Sequence, residues 1–160
     1  MPSQQTSNRE IERKYLLSGR PPGVEGARSV EVDQGYLPGN RINERVRRMR
    51  DAAGLVTYFR TIKAGAGLER LEIEEETTQL FFETVWPLTR GARVHKRRHY
   101  MPGDGVTWEI DEFLDRPELW LAEVELDHVG HEVALPEWLA GHVVREVTHE
   151  PAYTNHALAK

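Results

Sequence analysis

Apolar and charged residues alternate along much of this chain with a period of two, the mark of a strand with two unlike faces. Strands are expected over Glu10 to Leu17, Ser29 to Leu37, Glu44 to Arg50, Leu55 to Lys63 and Glu69 to Thr77. Arg93 to Tyr100, Val106 to Phe113 and Leu119 to Asp127 complete the set. Turn-forming clusters divide them, among them Ser18-Gly19-Arg20-Pro21-Pro22-Gly23, Asp51-Ala52-Ala53-Gly54, Gly65-Ala66-Gly67 and Pro102-Gly103-Asp104-Gly105. Helices are few and short. Thr78 can cap one from Gln79 to about Trp86 that Pro87 stops, and Pro136 to Ala140 forms another. The tail from Val143 to Lys160 is mixed, with Tyr153-Thr154-Asn155 opening a last helical stub. The expected class is α+β but mainly β, a single domain over residues 1–160 with residues 1–8 a disordered leader. About eight sequential antiparallel strands can close into a barrel.

The alternation sorts charge onto one face. Glu10, Glu12 and Lys14 share a side of the first strand; Arg45 and Arg47, Thr61 and Lys63, then Arg70, Glu72 and Glu74 do the same in later ones. Lys96 and Arg98, Glu109 and Asp111, and Glu123 and Glu125 follow. Opposite them stand Ile11, Val46, Ile62, Leu71, Ile73, Trp108, Ile110, Ala122, Val124 and Leu126. If the ionic face lies outside, it is ordinary surface around an apolar barrel. If it lies inside, burying so many charges is tolerable only when the interior is wet and the signs are interleaved. They are interleaved: Lys14, Arg45, Arg47, Lys63, Arg70, Lys96 and Arg98 are matched by Glu10, Glu12, Glu72, Glu74, Asp111, Glu123 and Glu125. Such a lining suits a small, highly charged anion with its metal ions. Arg48 falls on the otherwise apolar face and is expected to be solvent-exposed.

Composition narrows the partners. A net charge of -5 makes the chain a poor general binder of nucleic acid or anionic membrane, so a bound anion needs a local cluster of bases. With no cysteine, disulfides, thiolate metal sites and a cysteine nucleophile are excluded. No apolar run is long enough to span a bilayer, and a cytoplasmic protein is expected. The histidines are scattered, and His128 and His131 read as solvated loop residues. Trp86, Trp108, Trp120 and Trp138 read as outer packing residues.

Glu10-Ile11-Glu12-Arg13-Lys14, Arg45-Val46-Arg47, Thr61-Ile62-Lys63, Arg70-Leu71-Glu72-Ile73-Glu74, Lys96-Arg97-Arg98, Asp111 and Glu123-Val124-Glu125 together resemble the CYTH domain, the triphosphate tunnel metalloenzymes. The likeness runs from Arg9 to about Ala159 and is nearest to the compact bacterial members that hydrolyse inorganic triphosphate. It implies an eight-stranded antiparallel tunnel holding a triphosphate and Mg²⁺ or Mn²⁺. The bases Lys14, Arg45, Arg47, Lys63, Lys96 and Arg98 would clamp phosphate oxygens. Arg70 would either join them or pair with a neighbouring acid. Glu10, Glu12, Asp111, Glu123 and Glu125 would bind the metal. Glu72 and Glu74 would orient water or a second metal, and Glu12, Lys14 and Lys63 are further catalytic candidates. The expected reaction is attack of water on a terminal phosphorus. An adenylate cyclase or thiamine triphosphatase of the same fold, or a non-catalytic polyphosphate-binding module, are the alternatives. The expected partner is a small-molecule triphosphate, with no nucleic acid and no membrane; a homodimer is left open.

Overall fold

The computed structural model describes residues 9–65 and 68–159. The leader expected at Met1–Asn8 lies outside the described residues, as do Ala66 and Gly67 of the expected glycine turn. Eight strands succeed one another as β1 (Arg9–Leu17), β2 (Arg28–Tyr36), β3 (Asn43–Asp51), β4 (Val56–Ala64), β5 (Glu69–Thr77), β6 (Arg93–Pro102), β7 (Thr107–Phe113) and β8 (Trp120–Glu125). They pair antiparallel in the order β5-β4-β3-β2-β6-β7-β8-β1, and β1 returns to β5 through Arg9 opposite Leu71 and Ile11 opposite Glu69. The sheet is therefore a closed barrel.

A ninth strand, β9 (Val143–Glu146), joins the second half of β1, with Tyr15 opposite Glu146. β1 thus shares one edge between β5 and β9 while its other edge pairs with β8 throughout Glu12 to Leu17. Val143-Val144-Arg145-Glu146 is too short, and lacks the alternation, to be marked as a strand by sequence.

Short helices flank the barrel. In α1 (Gln79–Val85) the Thr78 hydroxyl accepts the Phe81 N–H at 3.0 Å, and Phe82 buries itself against Tyr58 and Trp86. The α-helix ends at Val85, just ahead of Pro87 as expected, and the chain continues as a 3₁₀ turn over Trp86–Thr89. Proline is tolerated in the first turn of such a helix, where its missing N–H has no partner to lose. α2 (Glu137–Ala140) and α3 (Asn155–Leu158) follow, the latter capped by Thr154. No helix among the described residues is long and apolar enough to cross a membrane.

Two apolar clusters hold these parts together. Outside the barrel, Trp108, Ile110, Ala122 and Val124 are fully buried with Tyr15, Leu17, Trp120 and Leu139 of α2. Inside one end, Val94, Phe113 and Leu121 meet Val147 and Leu158 of α3. The rest of the interior is ionic. Arg48 departs from its expected exposure: it is half-buried, pairs with Asp33 at 2.9 Å and lies over the Phe82 ring at 5.3 Å, because α1 packs on that face.

Candidate active site

Strand parity turns the charged face inward. Register sets Arg98 beside Asp111, Lys14 beside Glu123 and Lys63 beside Glu72, so bases and acids from neighbouring strands meet across the wall. They enclose a cavity of about 360 Å³. β1 and β8 give it Glu10, Glu12, Glu123 and Glu125; β3 and β4 give Arg45, Arg47 and Lys63; β5 gives Glu72 and Glu74. Arg98, Glu109 and Asn155 complete the lining. Through Arg45, Lys63 and Asn155 it continues into a basic recess of about 150 Å³ beside Tyr36 and Arg70. Through Glu109 and Glu125 it opens toward Asp127 and His131, where the space is about 460 Å³.

Four expected site residues stand behind this lining. Asp111 is fully buried, receiving Lys96 Nζ at 2.8 Å and Arg98 Nε and Nη2 at 2.8 and 2.9 Å. Lys96 also donates to Asn155 Oδ1 at 3.1 Å. Lys14 Nζ meets Glu123 Oε1 at 3.0 Å and the Tyr153 carbonyl at 3.0 Å. Arg70 bridges Glu10 and Glu12 across the β1–β5 seam.

Nearly every base has an acid. Lys63 lies 2.9 Å from Glu10 and 3.9 Å from Glu72; Arg45 lies 3.4 Å from Glu74; Arg98 reaches Glu109 at 2.7 Å. Arg47 differs. Among the described residues it has no carboxylate within 4.0 Å, and its one side-chain partner is the neutral Gln34, whose Oε1 accepts Nε–H at 3.1 Å. Burial, then Arg45 and Arg98, lower its pKa to about 10.

The acids are equally unequal. Burial, then Glu123 and Glu10, push Glu12 up to about 8. Burial also raises Glu72 and Glu125, the latter aided by Glu10 and Glu109. For Asp111 burial acts upward too, but Arg98 and Lys96 prevail and hold it at about 2. Burial and then Arg98 lower Lys96 to about 7 against the pull of Asp111. Lys63 is lowered by burial and Arg45, whereas for Lys14 Glu123 and Glu12 outweigh burial and raise it.

Metal fit follows from the donors. No ready-made cluster of three metal-ligating side chains occurs among the described residues. Glu10 Oε2 and Glu123 Oε1 are buried with an ion-pair contact each, to Lys63 at 2.9 Å and Lys14 at 3.0 Å, and Glu12 is crowded by both neighbouring carboxylates. All-oxygen donors with mutual repulsion suit a hard divalent cation. Glu10, Glu12, Glu123 and Glu125 face the cavity and Asp111 does not. Sequence reasoning assigned no role to Glu109, Gln34 or Asn155. Parity marks Glu109 and Gln34 as inward-facing, but α3 reaches the cavity only by a long-range fold-back that no local pattern encodes.

A closed antiparallel β tunnel lined by interleaved bases and acids defines the class: a tunnel protein with an ionic interior. No family model matches the chain. It is 36% identical over 157 residues to a curated inorganic triphosphatase of Nitrosomonas europaea, covering 94% of this chain and 96% of that protein. A second inorganic triphosphatase, from Acetivibrio thermocellus, is 34% identical over 155 residues, covering 95% and 94%. The crystal structure of the inorganic triphosphatase NE1496 superposes with a TM-score of 0.63 at 34% identity, over 94% of this chain and 97% of that one. The chain belongs to the CYTH family of triphosphate tunnel proteins.

Proposed function

We propose that this protein is a cytoplasmic hydrolase that cleaves inorganic triphosphate to pyrophosphate and phosphate in its tunnel, with Mg²⁺ or Mn²⁺. The observation that carries the reading is Arg47, a buried, cavity-facing guanidinium that feels Glu74 across the tunnel but has no carboxylate within 4.0 Å among the described residues. A buried charge without a partner is costly, and a phosphate oxygen is the counter-ion that matches its bidentate fork. The names of the curated relatives support the choice of triphosphate.

Arg45, Arg47, Lys63 and Arg98 bind and neutralise the phosphate chain, and Arg45, Lys63 and Arg98 exchange carboxylates for phosphate oxygens in doing so. Glu10, Glu12, Glu123 and Glu125 would hold the cation, which when bound supplies positive charge to the phosphates and lowers the pKa of water. Phosphoryl transfer asks mainly for positioning and charge neutralisation, which this wall provides. Glu72 and Glu74 orient the attacking water, and Lys63, whose proton is held less tightly than that of Lys14, is the better lysine to exchange it. Asp111, saturated by Lys96 and Arg98, serves to hold those cations and not to bind metal.

Phosphate release from tripolyphosphate, ATP and thiamine triphosphate, with Mg²⁺ or Mn²⁺ and with chelator, tests this. Tripolyphosphate is expected to turn over fastest and only with metal. Faster turnover of an organic triphosphate, cyclic AMP formation, or tight binding without turnover would each replace the proposal.

A further inference from the structure

β2 inserts one neutral side chain among the tunnel charges. Gln34 is 0% exposed; its Oε1 accepts from Arg47 Nε at 3.1 Å and its Nε2 donates to the Tyr36 hydroxyl at 3.4 Å. A guanidinium has only donors, so the amide oxygen must face Arg47, and the amide NH₂ then needs the acceptor that Tyr36 provides. Both ends of the amide are thereby fixed. Arg47 is held through Nε, and its two Nη groups have no hydrogen-bond acceptor in the protein among the described residues.

The contrast lies two strands away. Lys96 and Arg98 are held by Asp111, a carboxylate that cancels much of their charge. Gln34 holds Arg47 in similar depth while cancelling none of it. We propose that Gln34 is a positioning residue for the polyphosphate: it orients Arg47 and, being neutral, leaves a phosphate group to become its counter-ion. This rests on the reading of Arg47 as a phosphate ligand.

The substitution Gln34→Glu keeps the shape and the acceptor but adds an internal counter-ion. Calorimetric titration with tripolyphosphate in metal-free, chelated buffer is expected to show Kd raised about tenfold or more, the loss of one charge-assisted contact. The melting temperature of the ligand-free variant is expected to equal or exceed that of the parent, because Arg47 gains a partner. A purely structural role would lower affinity and melting temperature together, and that result, or unchanged affinity, overturns the proposal. Gln34→Met, which cannot hold Arg47, is expected to raise KM for tripolyphosphate about fivefold with kcat altered less than about twofold; an unchanged KM would also overturn it. Arg47→Ala separates the two levels. If it binds tripolyphosphate as tightly as the parent, the reading of the tunnel fails and takes the proposal with it; if it binds weakly while the Gln34 variants do not, only the role of Gln34 fails.

Discussion

Glu12 sits where burial, Glu123 and Glu10 all disfavour its charge. Its folded pKa of about 8 lies above the ordinary carboxyl value of 4.5, so the native state keeps a proton that the unfolded chain has lost. Stability from this group is fully present below its unfolded value and is lost as pH rises toward about 8. Glu12→Gln removes that loss. In chelator, its melting temperature is expected to rise relative to the parent from acidic to mildly alkaline pH, while metal-dependent turnover disappears. A gap that shrinks as pH rises would contradict the assignment. Asp111 has the opposite sign: held at about 2, it contributes stability above its unfolded value that is lost as pH falls through about 2. Asp111→Asn leaves two buried cations short of their acid, and urea unfolding at neutral pH is expected to show a loss on the order of 3 kcal/mol. A cost below about 1 kcal/mol would mean that Lys96 and Arg98 do not depend on it. The sequence shows that Glu12, Asp111 and Glu123 all face inward, since parity is local. It does not separate them, because the separation comes from the surroundings that the closed barrel supplies: Asp111 lies opposite Arg98, whereas Glu12 is buried beside the acids Glu123 and Glu10.

Elements were legible where they repeat and hidden where they depend on distant contacts. Eight strands announce themselves by alternation, while β9 exists because β1 offers it an edge beyond the reach of β5. Gly35 illustrates a sequence signal that gains meaning only in three dimensions. A glycine inside a strand often marks close approach of another segment. Here a Cβ at Gly35 would lie 2.5 Å from the Thr89 side chain, where the 3₁₀ turn after α1 crosses β2. Gly35→Ala must therefore push that segment off the barrel. Chemical denaturation is expected to show a loss of about 1–3 kcal/mol, the usual range for overpacking. A neutral result would mean that the turn is free to move.

At the scale of the whole molecule, the fold separates two tasks that a small barrel usually combines. Stability comes from the apolar cluster outside β1, β6, β7 and β8 and from the plug around Leu158, Phe113 and Leu121. That frees the remaining interior to carry charge. Inward orientation of the ionic faces was one of two arrangements the alternation allowed, and matched signs made it affordable. Which bases keep an acid and which await a substrate could not be seen before the barrel closed, because closure alone brings β1 to β5 and α3 to β6. The central claim is that the closed tunnel takes up inorganic triphosphate and splits it. Phosphorus NMR of tripolyphosphate mixed with the protein and Mg²⁺ tests it most directly. The expected spectrum shows the tripolyphosphate signals replaced by one pyrophosphate and one orthophosphate per molecule, with no change in chelator. Tripolyphosphate signals that broaden on binding yet yield no products, or that stay sharp throughout, would contradict it.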